Sequence, residues 1–574
     1  MINKMKVLKF FRFLYHNKIK SYYVRYVITK LYNLYGLFNK SLRLKYYFPL
    51  AIDGKFNLIG KAMFEDDNGF AYYTQYYSEP FFFLTKDKRS ACLYKTEIYK
   101  AKKYNTLSIN YKSQVENDCV LPVSIINKHS YNKIDNENLI TVRKNSETIR
   151  LANLAQNRFH YLRFNKGDNI SISSKKDILI GRPLALHSNK NYNKKLVLSI
   201  FVDAFSASLF KEYSYEELIP NTYNFFKKGL IFNNCYSNGE STVTSLSSMF
   251  SGKYVGKNNF FHPRKRQVLG VEQKTISQYF QDQGYFTQLI SGNYGQNPYQ
   301  GYCIGFDRTI FKNSLRHNEI IHEFLDSMRV FKDREVFTWF SFLDIHHSLG
   351  ISPDFSSGAD LDISAHDYKV QDRVKSPFRG FSSADTARYI SEIKRVDYNL
   401  QFLYSYIESN FCDDEILISL VSDHGNSISD KSNKIEILRK EKLNVPFMVR
   451  GASNKPKISD EVIENVDILP ILLRHSGIEY DNKEIDGEIP RVLGGKGKDF
   501  IFSESIYPNQ TYKATIKDSN YEAFFETKDY VNQAGEVDLS NYVFQVYGVE
   551  NGLLVNDESL IDEYKIKLLS KLRK

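Results

Sequence analysis

The sequence predicts an α/β fold, a mostly parallel sheet flanked by helices, together with an N-terminal antiparallel β domain. Two aliphatic runs, 195–202 and 415–420, are typical of strands buried on both faces, as in a parallel sheet. Between about residues 50 and 190 the pattern changes to short runs rich in Tyr, Val, Ile and Thr. A chain of 574 residues exceeds what one core accommodates, so we expect two or three domains.

The first segment of the chain, residues 1–48, is basic and aromatic. It contains eleven Lys and Arg residues, and the first acidic residue of the chain is Asp53. Charges interrupt its apolar residues too often for a signal peptide or a membrane-spanning helix. We interpret it as a helical segment suited to a membrane surface with anionic lipids, or alternatively as an ordinary helix packed on the rest of the protein.

Residues 49–190 are predicted to form a sandwich-like β domain. Turn residues separate its strand-like runs, which lie at 81–84, 106–111, 138–142 and 169–172. Such a domain either holds a glycan or serves as a scaffold, and the sequence does not distinguish these two roles. The polar stretch 188–194 has the composition of a linker to the next domain.

Charged side chains follow the two aliphatic runs at the point where each predicted strand ends. Asp203 follows the run 195–202, and the sequence Val-Ser-Asp-His-Gly at 421–425 follows the other run. Because open α/β sheets keep their chemistry at the carboxyl ends of the strands, Asp203, Asp423 and His424 are candidates for one metal site. The tetrapeptide Ser-Asp-His-Gly alone is equally consistent with a simple strand-to-loop turn.

A hydroxyl-rich stretch at 239–252 is predicted to open a helix. Leu246, Met249 and Phe250 have helical spacing, and Gly252 is a natural C-terminal stop. The preceding Ser and Thr residues therefore lie near a helix N-terminus, where free N–H groups and the helix dipole favour a tetrahedral anion. A hydroxyl there is a candidate nucleophile toward phosphorus or sulfur if a metal lowers its pKa, although Ser and Thr are also common helix caps.

The order of these features, strand–Asp, then a hydroxyl at a helix start, then Ser-Asp-His-Gly, resembles the alkaline phosphatase/sulfatase superfamily. Within that superfamily, the chain is most similar to the lipoteichoic acid synthase and phosphoethanolamine transferase branch. The resemblance runs from about Lys195 to about Thr527, with further landmarks at 283–287, 305–307, 340–347, 444–451, 466–470 and 477–478. It implies an alkaline-phosphatase-like catalytic core at 191–478 and a small C-terminal α+β subdomain at 479–574.

The resemblance implies that Thr242 is the nucleophile. It places metal ligands at Asp203, Asp423 and His424, with the Thr242 oxygen as the fourth ligand. Three oxygens and one nitrogen suit a single Mn²⁺ or Zn²⁺ ion better than Mg²⁺. In the transferase branch the first of these ligands is often Glu, for which Asp203 is a shorter substitute.

The resemblance also implies a set of substrate-binding residues. His346 and His347 end a predicted strand, and one of them would hold the transferred group or protonate the leaving oxygen. The alternative is a pair of histidines that only satisfy neighbouring groups at the end of a strand. Asn293 and His262 are assigned to substrate binding as well.

The sequence departs from the sulfatase pattern at the nucleophile. Sulfatases require Cys or Ser followed by x-Pro-x-Arg, so that the first residue can become formylglycine. Here Thr242 is followed by Val-Thr-Ser-Leu, and none of the five cysteines lies in such a motif. The chain has a single acid after the first strand, and residues 292–295 stand where the family has Gly-Lys-Trp-His. We therefore expect one metal ion and no hydrolysis of sulfate esters.

The favoured interpretation is a metal-dependent transferase that acts through a covalent Thr242 intermediate. It would move a phospho-type group (phosphoglycerol, phosphoethanolamine or methyl phosphoramidate) onto a bacterial surface polysaccharide or its precursor. The alternative is a phosphodiesterase, phosphatase or sulfatase-like hydrolase of the same fold. A third hypothesis, a basic binding protein on an inactive scaffold, rests on the net charge of +12.

The expected partners are an activated donor, either nucleotide-linked or lipid, and a glycan acceptor. No nucleic acid is expected, because the chain has no zinc knuckle, helix-turn-helix or RNA-binding aromatic signature. The lack of an anchor or signal and the scattered cysteines without disulfide spacing predict a cytoplasmic enzyme. Peripheral contact with the inner membrane through residues 1–48 is left open.

Overall fold

The computed structural model describes most of the chain from residue 62 onward. The described residues are 62–75, 95–105, 111–126, 140–151, 154, 158–186, 194–262, 267–346, 383–426, 438, 440–453 and 455–572. The basic segment 1–48, the run at 81–84 and His347 lie outside the described residues, and so does the run at 106–111 except for its last residue.

Eleven strands form the described part of the N-terminal region. They are β1 (Ala62–Met63), β2 (Ala71–Gln75), β3 (Thr96–Tyr104), β4 (Tyr111–Gln114), β5 (Cys119–Ile125), β6 (Ile140–Lys144), β7 (Glu147–Leu151), β8 (His160–Phe164), β9 (Asn169–Ser174), β10 (Ile178–Gly181) and β11 (Leu184–Ala185). Strands β4, β9, β6 and β7 form a four-stranded antiparallel sheet, whereas the others join a larger sheet. Val123, Val142 and Ile172 belong to an apolar core shared by the two sheets. The described parts of the runs at 138–142 and 169–172 lie in antiparallel strands, and the N-terminal region contains antiparallel sheets, as predicted.

The central region alternates strands with helices. Its strands are β12 (Leu196–Val202), β13 (Leu230–Tyr236), β14 (Phe286–Ser291), β15 (Arg308–Phe311), β16 (Val336–Phe342), β17 (Ile416–Val421), β18 (Asn444–Arg450) and β19 (Lys457–Glu464). Its helices are α1 (Tyr215–Leu218), α2 (Pro220–Phe226), α3 (Thr242–Ser251), α4 (Val255–Asn258), α5 (Ile276–Asp282), α6 (His317–Phe331), α7 (Ser383–Asn410), α8 (Lys440–Leu443) and α9 (Ile468–His475). Short 3₁₀ segments lie at Ala207–Lys211, Pro298–Gln300, Asp413–Glu415, Asn465–Asp467 and Arg491–Leu493. Within the described residues, no helix has both the length and the apolarity needed to span a bilayer.

The predicted α/β architecture is confirmed by the order of the central strands. Strands β15, β14, β16, β12 and β17 lie side by side and parallel, whereas β18 runs antiparallel to its neighbours β17 and β13. Successive residues of β12 enter two different apolar cores: Leu198 and Ile200 contribute to one, and Val197 and Phe201 to the other. Helices therefore cover both faces of the sheet, which explains why its strands are continuously aliphatic.

The central sheet continues into the N-terminal region, across the domain boundary predicted at residue 190. Strand β3 pairs antiparallel with β15, so that Arg308 lies opposite Tyr99. The buried Arg308 guanidinium links the two regions further, because it donates to Glu97 at 2.8 Å and to Glu323 at 3.0 Å. Strand β3 thereby pairs with an edge whose backbone groups would otherwise lack partners. Over the described residues, the combined sheet has 15 strands.

The C-terminal region is a small α+β unit on the central region. It contains β20 (Ile501–Ser505), β21 (Thr511–Lys517), β22 (Tyr521–Tyr530), β23 (Tyr542–Gly548) and α10 (Glu558–Lys571), and its four strands form an antiparallel sheet in chain order. Phe502, Phe525 and Leu568 form an apolar core with Tyr254 of the central region. The described C-terminal residues therefore combine one antiparallel sheet with one helix.

Glu504 on β20 is a buried carboxyl between the central and C-terminal regions. It accepts hydrogen bonds from Gly256 N at 2.6 Å and from the Tyr512 hydroxyl at 2.8 Å. Burial outweighs these bonds and raises the pKa of Glu504 from 4.5 to about 7. Folding therefore takes up a proton between pH 4.5 and about 7, so the free energy of unfolding falls as the pH rises through this window.

We expect the Glu504→Gln variant to lack this decrease in the free energy of unfolding with pH, because the amide does not ionise. The expected difference between wild type and variant across the window is about 3 kcal/mol. Urea unfolding at several pH values measures it, with the exposed Glu550→Gln as the matched control. Parallel pH profiles for wild type and Glu504→Gln would contradict the assignment.

Candidate active site and metal centre

Parallel pairing of β12 with β17 brings Asp203 and Asp423 to the same edge of the sheet. Phe201 pairs with Val421 near the ends of the two strands, so the residues that follow are neighbours. The carboxylate of Asp423 accepts the Ala204 N–H at 3.0 Å through Oδ1. Both carboxylates are fully buried. The structure therefore places the two acids together, as the sequence predicted from the ends of the aliphatic runs.

Helix α3 presents Thr242 to these carboxylates. The helix begins at Thr242 and is followed by Gly252, whose φ of 66° is the left-handed conformation of a C-terminal stop. Thr242 Oγ1 donates to Asp203 Oδ2 at 3.3 Å and lies 3.3 Å from His424 Nε2. The N–H groups of the first helical turn have no partner within the helix and favour a bound anion. The predicted candidate nucleophile is thus in contact with two predicted ligands.

Hydrogen bonding orients the ring of His424. Its Nδ1 lies 3.0 Å from the carbonyl oxygen of Gly425, and because a carbonyl only accepts, Nδ1 holds the proton. Nε2 faces the carboxylates, 3.4 Å from Asp423 Oδ2 and 3.8 Å from Asp203 Oδ1, and in the neutral ring it is the nitrogen without a proton. This is the tautomer in which an imidazole nitrogen binds a metal ion.

Two carboxylate oxygens at this site are buried and receive no hydrogen bond from the described residues. They are Asp203 Oδ1 and Asp423 Oδ2. Burial, followed by the nearby negative charge of Asp423, raises the pKa of Asp203 well above its usual range. Two buried acids with unsatisfied oxygens are unfavourable unless a cation compensates them. The residues present therefore fit a divalent metal ion.

His346 is a further candidate ligand. It follows β16, which pairs in parallel with β12, and its Nε2 lies 3.7 Å from Asp203 Oδ1. One ligand atom from each of Asp203, His346 and His424 lies within 4.8 Å of the other two. Sequence analysis assigned His346 to the substrate, and this position is compatible with either role. The neighbouring His347 lies outside the described residues.

The segment 292–295 supports the site, although it departs from the family pattern. Asn293 Nδ2 donates to Asp203 Oδ2 at 2.5 Å, and Asn293 Oδ1 accepts the Gly295 N–H at 2.7 Å. Gly295 lies directly against the nucleophile, because a Cβ atom there would come within 2.8 Å of Thr242 Cγ2. Asn293 thus contacts the candidate ligand Asp203, and the absence of a side chain at Gly295 leaves room for Thr242.

Two residues that sequence analysis missed hold the loops of the site in place. The Tyr389 hydroxyl donates to the Ala204 carbonyl at 2.7 Å, which fixes Ala204 in a left-handed conformation with φ of 63°. Asn465 Nδ2 donates to the Ser422 carbonyl at 3.0 Å and to Ser245 Oγ of α3 at 2.9 Å. These contacts join residues far apart in the chain, so no local pattern could have revealed them.

His262 and Asn293 were both assigned to substrate binding, but only Asn293 contacts a candidate metal ligand among the described hydrogen bonds. His262 Nε2 lies 3.0 Å from Gln533 Oε1, at the contact between the central and C-terminal regions. The assignment of His262 to substrate binding stays a prediction.

The fold and the site together define an α/β enzyme of the phosphatase and sulfatase class. Comparison with known proteins gives the family: residues 195–478 match the sulfatase family model. Residues 195–478 therefore form a domain of the alkaline phosphatase/sulfatase superfamily. Members of this superfamily use a divalent metal ion, for which Asp203, His346 and His424 form a candidate site. Within the matched residues, the candidate nucleophile Thr242 is followed by Val-Thr-Ser-Leu and not by x-Pro-x-Arg.

Solved structures show the same fold. The phosphonate monoester hydrolase from Silicibacter pomeroyi aligns with a TM-score of 0.51 at 14% identity, covering 66% of this chain and 94% of that chain. The phosphonate monoester hydrolase of Agrobacterium radiobacter aligns with a TM-score of 0.50 at 15% identity, covering 66% and 95%. A search of curated protein sequences found no significant match. At these identities the structural similarity concerns the fold alone.

Proposed function

We propose that this protein is a metal-dependent phospho-group transferase of the lipoteichoic acid synthase and phosphoethanolamine transferase branch. It moves phosphoglycerol, phosphoethanolamine or methyl phosphoramidate from a nucleotide-linked or lipid donor to a bacterial surface polysaccharide or its precursor. The observation that supports the proposal is the position of the Thr242 hydroxyl, 3.3 Å from both Asp203 and His424 at the start of a buried helix.

The proposed ligands of the metal ion are Asp203, Asp423, His424 and the Thr242 oxygen, with His346 as a further candidate. Their mixed oxygen and nitrogen set favours Mn²⁺ or Zn²⁺. A bound ion of this kind supplies positive charge that lowers the pKa of the Thr242 hydroxyl and compensates the transferred oxygens.

Two displacements at phosphorus complete the proposed reaction. In the first, Thr242 Oγ1 forms a bond to phosphorus, the bond to the donor oxygen breaks, and that oxygen receives the proton that Thr242 gave up. If His346 does not bind the metal ion, it is the candidate for passing this proton on, because its Nε2 lies 3.7 Å from Asp203, the acid that accepts from Thr242. In the second, an acceptor hydroxyl attacks phosphorus, the bond to Thr242 breaks, and the acceptor proton returns to Oγ1. The N–H groups at the start of α3 stabilise the negative oxygens in both steps.

A hydrolase shares the first displacement and differs only in the second, where water replaces the acceptor hydroxyl. Incubation of the Mn²⁺- or Zn²⁺-loaded protein with donors, followed by intact mass measurement, therefore separates the two functions. The donors are a nucleotide-linked glycerol phosphate, phosphatidylglycerol and phosphatidylethanolamine, with bis(p-nitrophenyl) phosphate as a simple diester. An adduct on Thr242 that is discharged by a glycan faster than by water supports a transferase. Discharge by water alone supports a hydrolase, and no adduct with any donor contradicts the proposal.

A further inference from the structure

A cleft of about 660 Å³ lies beside the catalytic edge of the sheet, away from the metal site. Its floor consists of residues from β13, β18 and β19, and one wall is the 3₁₀ segment Ala207–Lys211. Residues 517–519 and Val549 of the C-terminal region form the opposite wall. A cavity of this size, with mixed polar and aromatic walls, is typical of a small-molecule binding site.

An irregularity in β13 directs amide side chains to this cleft. The register of β13 shifts between Phe232 and Cys235 relative to β18, and between Phe232 and Asn234 relative to β19. Such bulges re-aim side chains, and here the shift falls at Asn233 and Asn234, which both line the cleft. The bulge therefore creates a polar patch in a strand that is otherwise largely buried.

The patch is held by a short hydrogen-bond network. The Tyr215 hydroxyl donates to Asn233 Oδ1 at 2.9 Å, and Asn233 Nδ2 donates to Asp460 Oδ1 at 2.8 Å. Asn234 Nδ2 donates to the Asp460 carbonyl at 2.8 Å. An amide group offers two donor hydrogens and two acceptor positions, so this network orients Asn233 while capacity for a ligand is left over. The patch is thus pre-organised before any ligand binds.

The walls combine aromatic rings with balanced charge. The Phe210 and Tyr215 rings pack at an interplanar angle of 40° with centroids 4.3 Å apart, and Lys517 Nζ lies 5.5 Å from the centre of the Tyr236 ring. The charged lining residues are two lysines and two aspartates, namely Lys211, Lys517, Asp460 and Asp518. An anionic ligand would require an excess of positive charge, and a lipid chain would require an apolar lining. Amides, aromatic faces and zero net charge instead fit a neutral polyhydroxylated ligand.

Helix α8 connects the cleft to the catalytic residues. The Glu441 carbonyl accepts from Ser206 Oγ at 2.8 Å, three residues beyond Asp203. The Lys442 carbonyl accepts the Gly425 N–H at 2.7 Å, next to His424. The following strand then begins with Asn444, which lines the cleft. A long ligand in the cleft would therefore lie within a few residues of the loops that hold the metal ligands.

We propose that this cleft binds a neutral saccharide segment of the acceptor, an inference that rests on the proposed transfer to a glycan. The amides and Asp460 pair with sugar hydroxyls, and the aromatic rings contact the apolar face of the sugar. Binding in the cleft would position the acceptor chain beside the site, with its reacting hydroxyl toward Thr242.

The test measures binding to the full-length protein without any donor, by calorimetry after a glycan-array screen. The probes are neutral hexose and N-acetylhexosamine oligosaccharides, with uronic-acid-containing oligosaccharides as anionic controls. We expect a neutral oligosaccharide to bind, Asn233→Ala to weaken its binding at least tenfold, and the exposed Asn541→Ala to leave it unchanged. Asp460→Asn, a second surface change, should weaken binding as well.

Three results would overturn the inference: no oligosaccharide binds the wild type, only anionic ones bind, or binding is insensitive to Asn233→Ala and Asp460→Asn. Because this assay needs no donor and no covalent adduct, its outcome is independent of the proposed transfer. If a saccharide binds in the cleft but Thr242 forms no adduct, the proposed group transfer is wrong and the proposed saccharide site stands. If Thr242 forms an adduct but no saccharide binds, the proposed saccharide site is wrong and the proposed group transfer stands.

Discussion

Thr242→Val is expected to lower group transfer by roughly 10⁴-fold or more, whereas Thr242→Ser should retain activity within about a hundredfold of wild type. Valine keeps the branched shape and the methyl group that packs against Gly295 but lacks the oxygen 3.3 Å from Asp203 and His424. Serine keeps the oxygen and loses the methyl group, so its side chain rotates more freely. The pair separates the role of the hydroxyl from the packing of the side chain.

Steady-state rates of release from the best donor measure this difference, and intact mass shows whether an adduct forms. Wild type and Thr242→Ser should form the adduct, and Thr242→Val should not. The thermal stability of the three proteins serves as the control for folding, since Thr242 is buried. If the Thr242→Val variant releases product at a rate within tenfold of wild type, Thr242 is not the nucleophile.

Mn²⁺ or Zn²⁺ is expected to stabilise the wild-type protein, by about 3 kcal/mol at a hundredfold excess over Kd. The reason is the pair of unsatisfied oxygens on Asp203 and Asp423, which a cation would compensate. Asp203→Asn should abolish this response, because the variant loses one ligand charge. The same substitution should stabilise the metal-free protein by about 1–3 kcal/mol, because the amide needs neither a buried charge beside Asp423 nor the uptake of a proton that would avoid it.

Scanning calorimetry with and without a chelator, together with measured metal content, tests both parts of this expectation. Asp397→Asn is the matched control, since Asp397 is also a buried carboxyl but accepts hydrogen bonds from Asn221 and Thr222 away from the site. That variant should respond to metal like the wild type. If the metal-free Asp203→Asn protein is less stable than the metal-free wild type, the two carboxylates are compensated by another group.

Part of the fold could be predicted because burial leaves a local pattern. The aliphatic run before Asp203 reports a strand buried on both faces, and the spacing of Leu246, Met249 and Phe250 reports one apolar face of a helix. The continuation of the central sheet through β3 could not be predicted in this way. It depends on pairing with β15, over 200 residues further along the chain, and on the buried contact of Arg308 with Glu97.

In the candidate site, too, some residues could be predicted from local patterns, whereas other contacts exist only in the folded chain. Strand ends are local features, so Asp203, Asp423 and His424 could be selected from residue patterns. A hydroxyl-rich helix start was visible as well, but only the family resemblance singled out Thr242. The proximity of His346 to Asp203 and the bond from Tyr389 to Ala204 could not, because they join separate elements. The saccharide cleft was also hidden, since a bulge in β13 and a wall from the C-terminal region create it.

The family resemblance added Thr242 and its departure from the formylglycine motif. Residue patterns alone were sufficient for the class of fold and for the candidate ligands Asp203, Asp423 and His424. They suffice because periodicity and residue type follow from burial and from the chemistry of each side chain. The orientation of His424 Nε2, the unsatisfied carboxylate oxygens and the neighbouring cleft emerge only in the folded chain. Their geometry depends on which distant side chains and strands meet, and the free energy of those contacts leaves no periodic signal in the sequence.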